Sequence, residues 1–146
     1  FKNEENRRRY DLYKSAVSII TPVRLTAYER VVLFLERISP ESLLVRVQDS
    51  NMNSLQFHSA LLASVRAEYE HNLSQQVYLS KEAWTLVRNA KESIIQLINT
   101  SAASVPPQTP SYELAKVILE TYQAADETPT ALTINFLKSE IKNYFG

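Results

Sequence analysis

Glycine usage is the feature that most restricts the fold of this 146-residue chain, because its only glycine is the last residue, Gly146. Two-residue β-hairpin turns and glycine-rich phosphate-binding loops both need glycine within the chain, so neither motif is available upstream. Helix interiors disfavour glycine, whereas a β-rich chain of this length without internal glycine would be very unusual. The sequence therefore predicts an all-α fold, a single-domain bundle of about six helices.

Proline marks the starts of four predicted helices. In each case Thr or Ser precedes Pro, which places a hydroxyl at the N-cap and proline at the first helical position, where its missing N–H costs nothing. The four pairs are Thr21–Pro22, Ser39–Pro40, Thr109–Pro110 and Thr128–Pro129. Two further starts lack proline, and there we expect Asn53 or Ser54 to cap one helix and Ser80 to cap the other.

Changes in composition divide the chain. Residues 1–20 are rich in charge and are predicted to form a juxtamembrane arm or helix, and residues 21–146 the helical domain. Within that domain Pro106 and Pro107 cannot continue a helix. The small polar residues around them predict a Ser/Pro hinge near residues 101–110.

Apolar residues at helical spacing predict which helix faces are buried. In the helix over residues 54–73 the predicted stripe is Leu55, Leu62, Val65, Tyr69 and Leu73, with Phe57 and Leu61 beside it. In the helix that starts at Lys81 the stripe has Trp84 near its beginning. We expect Trp84 to be buried and structural.

Residues that could carry catalysis or bind a metal are few. The chain has no cysteine, so thiolate chemistry is absent. Its two histidines, His58 and His71, do not have the spacing of four residues that the paired-histidine zinc motif requires. Glu68 and His71 have the Glu-x-x-His spacing of di-iron bundles, but such sites need a second copy of the motif, and we interpret the pair as a solvated helix end. His58 lies on the apolar side of its helix, where we expect a boundary histidine with satisfied hydrogen bonds. We predict no catalytic residue, no metal and no cofactor.

Charge indicates the kind of partner. The chain carries 16 basic and 16 acidic residues, and a domain without net charge is a poor generic binder of nucleic acid. Its only basic run is Arg7, Arg8 and Arg9. This run is interpreted as a solvated arm, as a contact with anionic lipid headgroups at a membrane surface or, with less support, as a contact with nucleic acid.

The polar stretch HNLSQQVYLS, residues 71–80, lies between two predicted helices. A crossing without glycine needs side chains to satisfy its backbone, so we expect its amides and hydroxyls to bond the last carbonyls of the first helix. These side chains are Asn72, Ser74, Gln75 and Gln76. We also expect residues 77–79 to fold back onto the core. A structural crossing is one interpretation of the stretch, and a recognition surface is the other.

A family of uncharacterised bacterial proteins, of the Bacteroidetes type, resembles this chain at TAYERVVLFLERISPESLLVRV, HNLSQQVYLSKEAWTLVRNAKE and LINTSAA. The resemblance covers most of the chain, from Thr21 to Tyr144. It implies a protein with one N-terminal transmembrane helix, a charged juxtamembrane stretch and a soluble all-helical domain. It implies no activity, cofactor or catalytic residue.

The membrane helix itself does not lie in this sequence, whose longest apolar run, Val31 to Leu35, is far shorter than the roughly 20 residues of a span. The only methionine is Met52, so we expect a segment upstream of Phe1. The first fifteen residues carry five basic side chains, Lys2, Arg7, Arg8, Arg9 and Lys14. Because positive charge near a span favours the cytoplasmic side, we expect the domain on the cytoplasmic side of the inner membrane.

We therefore expect a non-enzymatic scaffold or partner-binding cytoplasmic domain of a single-pass membrane protein, with a protein as its partner. The alternative is a hydrolase or transferase whose site is not recognisable from sequence. An enzyme should have a concave pocket with convergent polar groups, whereas a scaffold should have an exposed apolar or aromatic patch.

Overall fold

The computed structural model describes the backbone of residues 2–145, and the side chains of these residues except 16–20 and 145. Within that range it contains six α-helices, one 3₁₀ helix and no strand. The α-helices are α1 (Lys2–Ile38), α2 (Pro40–Val47), α3 (Ser54–His71), α4 (Lys81–Ala103), α5 (Ser111–Gln123) and α6 (Pro129–Phe145), and the 3₁₀ helix is Leu73–Tyr78. The prediction of an all-α fold is confirmed.

Side-chain caps begin α3 and α4 where the sequence predicted them. At α3 the Asn53 side chain accepts from the Gln56 N–H at 2.8 Å, and the Gln56 side chain accepts from the Asn53 N–H at 3.0 Å. This reciprocal pair satisfies two N–H groups that have no acceptor within the helix. At α4 the Ser80 hydroxyl accepts from the Ala83 N–H at 3.0 Å.

The proline-marked starts are confirmed at α2 and α6 and shifted at α5. Ser39 is the N-cap residue of α2, although its hydroxyl donates to the Leu35 carbonyl at 2.8 Å instead of capping the helix. The Thr128 hydroxyl accepts from the Ala131 N–H at the start of α6. Helix α5 begins at Ser111, one residue later than predicted, and Pro110 is its N-cap.

The remaining predicted start, Thr21–Pro22, is wrong, because α1 continues through Pro22. Pro22 has no N–H to donate to the preceding turn. Its carbonyl still accepts, from the Thr26 hydroxyl at 3.0 Å. The residues on both sides are helical, so the proline removes one hydrogen bond from a ladder that goes on past it.

Replacing Pro22 by alanine is expected to raise the free energy of unfolding by about 1–3 kcal/mol, because proline inside a helix is about 3 kcal/mol less favourable than alanine. Urea unfolding followed by circular dichroism measures the change. Pro129→Ala is the matched control, because Pro129 is exposed like Pro22 and occupies the first position of α6, where proline is compatible with the helix and its replacement brings no gain. If Pro22→Ala leaves stability unchanged or lower, Pro22 begins a helix as the sequence pattern suggested.

Helix α4 packs against four other helices, α1, α3, α5 and α6. Its core side has Val87, Ile94 and Ile98, each at most 1% exposed. Trp84, near the start of the same face, is 9% exposed. The prediction that Trp84 is buried is confirmed.

Helix α3 buries a face that only partly matches the predicted one. Phe57, Leu61 and Val65 are completely buried, whereas Leu55 is 52% exposed and Leu73 is 40% exposed. Phe57 and Leu61, which the sequence placed beside the stripe, are at its centre. The predicted stripe is therefore right for Val65 and wrong for Leu55 and Leu73, and the centre of the buried face is the row spaced by four residues.

The proline-rich segment that the sequence predicted as a hinge lies against the first turn of α3. The Ser54 N–H donates to the Thr109 carbonyl at 2.8 Å, and the Leu55 N–H donates to the Pro107 carbonyl at 3.2 Å. The Ser54 hydroxyl donates to the Pro110 carbonyl at 3.0 Å. The first N–H groups of a helix have no acceptor inside it, so this segment satisfies two of them and holds α3 next to α5.

Candidate interaction surface

The first part of α1 extends beyond the packed bundle. Every side chain from residue 2 to residue 15 is exposed, whereas Ala27 and Val31 in the same helix are at most 1% exposed. The guanidinium of Arg24 lies 4.8 Å from the ring centre of Tyr144, close to the end of α6. We call residues 2–15 the α1 extension; at 1.5 Å per residue it is about 21 Å long.

A row of four side chains runs along the α1 extension. Tyr10 and Tyr13 are 58% and 68% exposed, and Asn3 and Asn6 precede them at the same alternating spacing of three and four residues. Residues so spaced share one side of a helix. We call this row the tyrosine stripe. The same spacing continues in the buried part of α1 to Ala27, Val31, Phe34 and Ile38.

Basic residues flank the tyrosine stripe on both sides. Successive helical residues are about 100° apart, which places Arg7 and Lys14 along one edge of the stripe. Lys2 and Arg9 lie along the other edge. The ammonium of Lys14 is 5.1 Å from the ring centre of Tyr10, within the range of a cation–π contact. The acidic residues of the extension lie on the opposite half of the helix and are Glu4, Glu5 and Asp11.

The helix separates the three arginines that the sequence presented as one basic run. Arg8 lies on the half opposite the tyrosine stripe, while Arg7 and Arg9 lie at the two edges of the stripe. An external flat surface that contacts the tyrosine stripe therefore also meets Arg7 and Arg9, but it does not meet Arg8. Contact of the run with lipid headgroups stays a prediction. In the part of the chain that the structure describes, no helix is both long and apolar enough to cross a bilayer.

A carboxylate of α6 joins α1 to the start of α4. The Tyr28 hydroxyl donates to Glu140 Oε1 at 2.5 Å, and the Ser80 hydroxyl donates to both carboxylate oxygens at 2.7 and 2.9 Å. Tyr28 is 2% exposed. This burial, and then the hydrogen bond to Glu140, raises the pKa of Tyr28 well above its ordinary value. The network fixes the second half of α1, and with it the direction of the α1 extension.

The raised pKa of Tyr28 makes stability depend on alkaline pH. The folded protein holds the Tyr28 proton more tightly than the unfolded chain, so this stabilisation is complete below about pH 10 and decreases above it, by up to about 1.4 kcal/mol per pH unit. Tyr28→Phe is expected to cost about 1–3 kcal/mol at neutral pH, and the cost should shrink above pH 10. Urea unfolding at several pH values measures both effects.

The matched control for Tyr28→Phe is Tyr112→Phe, because Tyr112 is 58% exposed. This control should change neither stability nor its dependence on pH. A Tyr28→Phe cost that stays constant from neutral pH to above pH 10 would contradict the raised pKa.

Glu68, part of the Glu-x-x-His pair, is held by two arginines. Arg37 donates to Glu68 Oε1 from Nε at 2.8 Å and from Nη2 at 2.5 Å, and Arg46 Nη1 lies 3.7 Å from the same oxygen. The hydrogen bond from Arg37 lowers the pKa of Glu68. Glu68 therefore belongs to an ion-pair cluster between α1, α2 and α3, so the prediction of a solvated helix end is wrong for Glu68, whereas His71 is exposed. Among the described residues, no group of three or more His, Cys, Asp or Glu side chains is placed to hold a metal.

His58 lies at the boundary of the core, where it joins α3 to α4. Its Nε2 is 2.7 Å from Asn99 Oδ1, and the side chain is half-buried. The prediction of a boundary histidine with a hydrogen-bond partner is confirmed. His58 also borders a small hollow of about 40 Å³ that Ser54 and Leu114 help to line.

The stretch HNLSQQVYLS crosses from α3 to α4 through the 3₁₀ helix. Asn72 is buried and donates from Nδ2 to the Glu68 carbonyl at 2.9 Å, which confirms this part of the prediction. Gln76 donates instead to the Leu73 carbonyl inside the 3₁₀ helix. Leu79 is 8% exposed, but Val77 is 76% and Tyr78 is 38% exposed, so the predicted return to the core is confirmed for Leu79 and wrong for Val77 and Tyr78. With three residues per turn, residues 77 and 79 face different directions.

Two open grooves, each of about 530 Å³, flank α6. The apolar groove lies between α1 and α6 and is lined by Leu25, Val32 and Ile141 among others. The polar groove includes Glu36, Glu41, Tyr122, Asn135 and Lys138.

The sequence interpretation missed the relation between the two parts of α1. The signal was present as one row spaced by three and four residues that runs from Asn3 to Ile38. The Thr21–Pro22 pattern predicts the start of a new helix, and such a start would separate the exposed part of this row from the buried part.

A model for a family of unknown function (DUF7935) matches residues 1–144. No curated protein and no solved structure matched the chain.

Proposed function

The chain belongs to the DUF7935 family, whose function is unknown, and for this member we propose a non-enzymatic, partner-binding role as the cytoplasmic domain of a single-pass membrane protein. The observation that carries the proposal is the exposure of Tyr10 and Tyr13, at 58% and 68%, on the α1 extension. Tyrosine is enriched in the cores of protein interfaces because a large ring and a hydrogen-bonding hydroxyl occur together. An isolated helix of this length is only marginally stable in water, so a partner that covers the stripe also stabilises the helix.

The bundle supplies a fixed base for this surface. Beyond Pro22, α1 packs against α2, α3, α4 and α6, and Tyr28 is bound to Glu140. The α1 extension therefore continues a helix whose second half is held on several sides. A helix that continues from a packed helix does not need a new nucleus, which reduces the conformational entropy that a partner must remove on binding.

The test is site-specific photocrosslinking in native cells that express the complete natural protein. A photoreactive phenylalanine analogue at Tyr13 is expected to form a discrete crosslink to another protein. The same analogue at Tyr112 is the matched control, because Tyr112 is 58% exposed on α5, away from the stripe. Equal crosslinking at the two positions, or crosslinking to lipid alone, would contradict the partner-binding role.

The proposed location is the cytoplasmic side of the inner membrane. It is supported by the resemblance, which implies an N-terminal membrane helix, and by the five basic residues within residues 2–14, namely Lys2, Arg7, Arg8, Arg9 and Lys14. A segment next to a membrane span is favoured on the cytoplasmic side when it carries lysine and arginine, and acidic residues have little effect on this preference.

Reporter fusions after Gly146 in the complete natural protein test this topology. A fluorescent protein that matures only in the cytoplasm is expected to be bright, and alkaline phosphatase, which needs the periplasm, is expected to be inactive. The reverse pair of results would overturn the proposed location.

A further inference from the structure

We propose that the partner presents an acidic amphipathic helix, which pairs with the α1 extension as a two-stranded coiled coil. This inference rests on the partner-binding role proposed above and names the chemistry of the partner. It is carried by the tyrosine stripe and the charges at its two edges.

The tyrosine stripe has the spacing of a coiled-coil seam. Asn3 and Tyr10 are seven residues apart, as are Asn6 and Tyr13, which makes them successive a and d positions of a heptad. Ideal helices drift by about 20° per heptad from this repeat, so over the three heptads from Tyr10 to Val31 the stripe is rotated by about 60° from the buried seam at Val31 and Phe34. Asparagine inside a seam lowers affinity but fixes the register of the two strands.

The residues at both edges of the seam are all basic. Arg7 and Lys14 occupy the e positions, and Lys2 and Arg9 occupy the g positions. In coiled coils these positions face the partner strand and determine which partner is accepted. Four positive charges there select a strand with glutamate or aspartate at its own e and g positions.

A second copy of this chain does not have that complementarity. In a parallel pair Lys2 would face Arg7 of the other copy, and Arg9 would face Lys14. In an antiparallel pair g faces g and e faces e, which again brings basic side chains together. Like charges across a seam oppose pairing, so the flanks disfavour self-association in both orientations.

An anionic membrane surface fits the extension less well than an acidic helix. A helix that lies in the interface usually buries tryptophan, phenylalanine or leucine, whereas half of this stripe is asparagine. Its one exposed leucine, Leu12, lies on the other half of the helix with Glu5. A partner helix needs only the narrow seam that the tyrosine stripe provides.

Two labelled peptides of about three heptads serve as probes. Both have apolar a and d positions with one asparagine, and they differ only at e and g, which are glutamate in one peptide and lysine in the other. Fluorescence anisotropy with the 146-residue chain is expected to show about tenfold or greater preference for the glutamate peptide. Added salt should reduce this preference.

Exposed residues provide matched variants. Arg9→Glu is expected to weaken binding of the glutamate peptide about threefold or more, whereas Arg8→Glu, the same change on the opposite half, should leave it unchanged. Replacing Lys2, Arg7, Arg9 and Lys14 together by glutamate should reverse the preference toward the lysine peptide. Tyr10→Ser combined with Tyr13→Ser should lower affinity about tenfold. Circular dichroism checks that each variant keeps its helix content.

Several results would overturn the inference. One is equal affinity for the two peptides, and another is an equal effect of Arg8→Glu and Arg9→Glu. Binding to vesicles of phosphatidylglycerol and phosphatidylcholine without binding to the glutamate peptide would assign the extension to lipid. A dimer in analytical ultracentrifugation that Tyr10→Ser abolishes would assign it to a second copy.

The two proposals fail in different ways. Crosslinking at Tyr13 to a protein that contacts it through a non-acidic or non-helical segment overturns the coiled coil and leaves the partner-binding role standing. Absence of a protein crosslink at Tyr13, together with failure of the glutamate peptide, overturns both.

Discussion

Replacing Trp84 by alanine is expected to lower the free energy of unfolding by about 3–5 kcal/mol. Trp84 is 9% exposed, and its ring stacks on that of Tyr69 with centres 5.7 Å apart and planes at 23°. The ring centre of Tyr69 lies 6.0 Å from that of Phe34, so these three rings join α1, α3 and α4. Alanine removes the largest member and leaves a cavity that a close-packed interior fills only in part.

Trp84→Phe is the matched control, because it keeps an aromatic ring and is expected to cost only about 1–2 kcal/mol. Urea unfolding should be followed by far-UV circular dichroism, since Trp84 is the only tryptophan and both variants lose its fluorescence. A loss below about 1 kcal/mol for alanine would mean that the indole is exposed in solution.

Replacing Phe57 by alanine is expected to cost about 3–5 kcal/mol, because its side chain is completely buried in the core. Leu55, two residues earlier, is 52% exposed. Leu55→Ala should therefore change stability by no more than about 0.5 kcal/mol.

This pair of α3 variants distinguishes the two possible registers of the helix, because the sequence pattern placed Leu55 in the buried stripe and Phe57 beside it. Thermal and urea unfolding of both variants give the comparison. A large loss for Leu55→Ala with a small loss for Phe57→Ala would support the stripe predicted from sequence and contradict the packing of α3.

Helix boundaries were predictable where a local interaction determines them. The Asn53 side chain reaches only three residues along the chain to Gln56, and Ser80 reaches only to Ala83. Such caps form whatever the rest of the fold does, so short sequence motifs contain the needed information. The all-α class was predictable for a similar reason, because the absence of internal glycine excludes glycine-dependent hairpin turns along the whole chain.

The face that α3 buries was not predictable from its own sequence. Apolar residues occur at 55, 57, 61, 62 and 65, so several stripes of similar width can be drawn on this helix. The choice depends on α4 and α5, which are distant in sequence. Pro22 is a second case. A Thr-Pro pair before an apolar stripe occurs at the start of a helix, but it also occurs inside a helix that tertiary packing stabilises, and the local sequence is the same in both.

The candidate surface was predictable in composition and not in geometry. Arg7, Arg8 and Arg9 and the nearby tyrosines are visible in the sequence, but their distribution around one axis depends on α1 being a continuous helix. Glu140 could not be identified at all, because its partner Tyr28 is 112 residues away. Contacts of this kind follow from tertiary packing and leave no periodic signal.

The pairing of the first helix with the last has a consequence for synthesis on the ribosome. The bond from Tyr28 to Glu140 spans 112 residues, and elongation at about 5–20 residues per second needs roughly 5–20 s to add them. During that interval the apolar side of α1 has left the ribosome, but α6 is not yet available to pack against it. The nascent chain therefore exposes this side to chaperones and to neighbouring chains until α6 leaves the exit tunnel, and completion of the bundle must wait for its final helix.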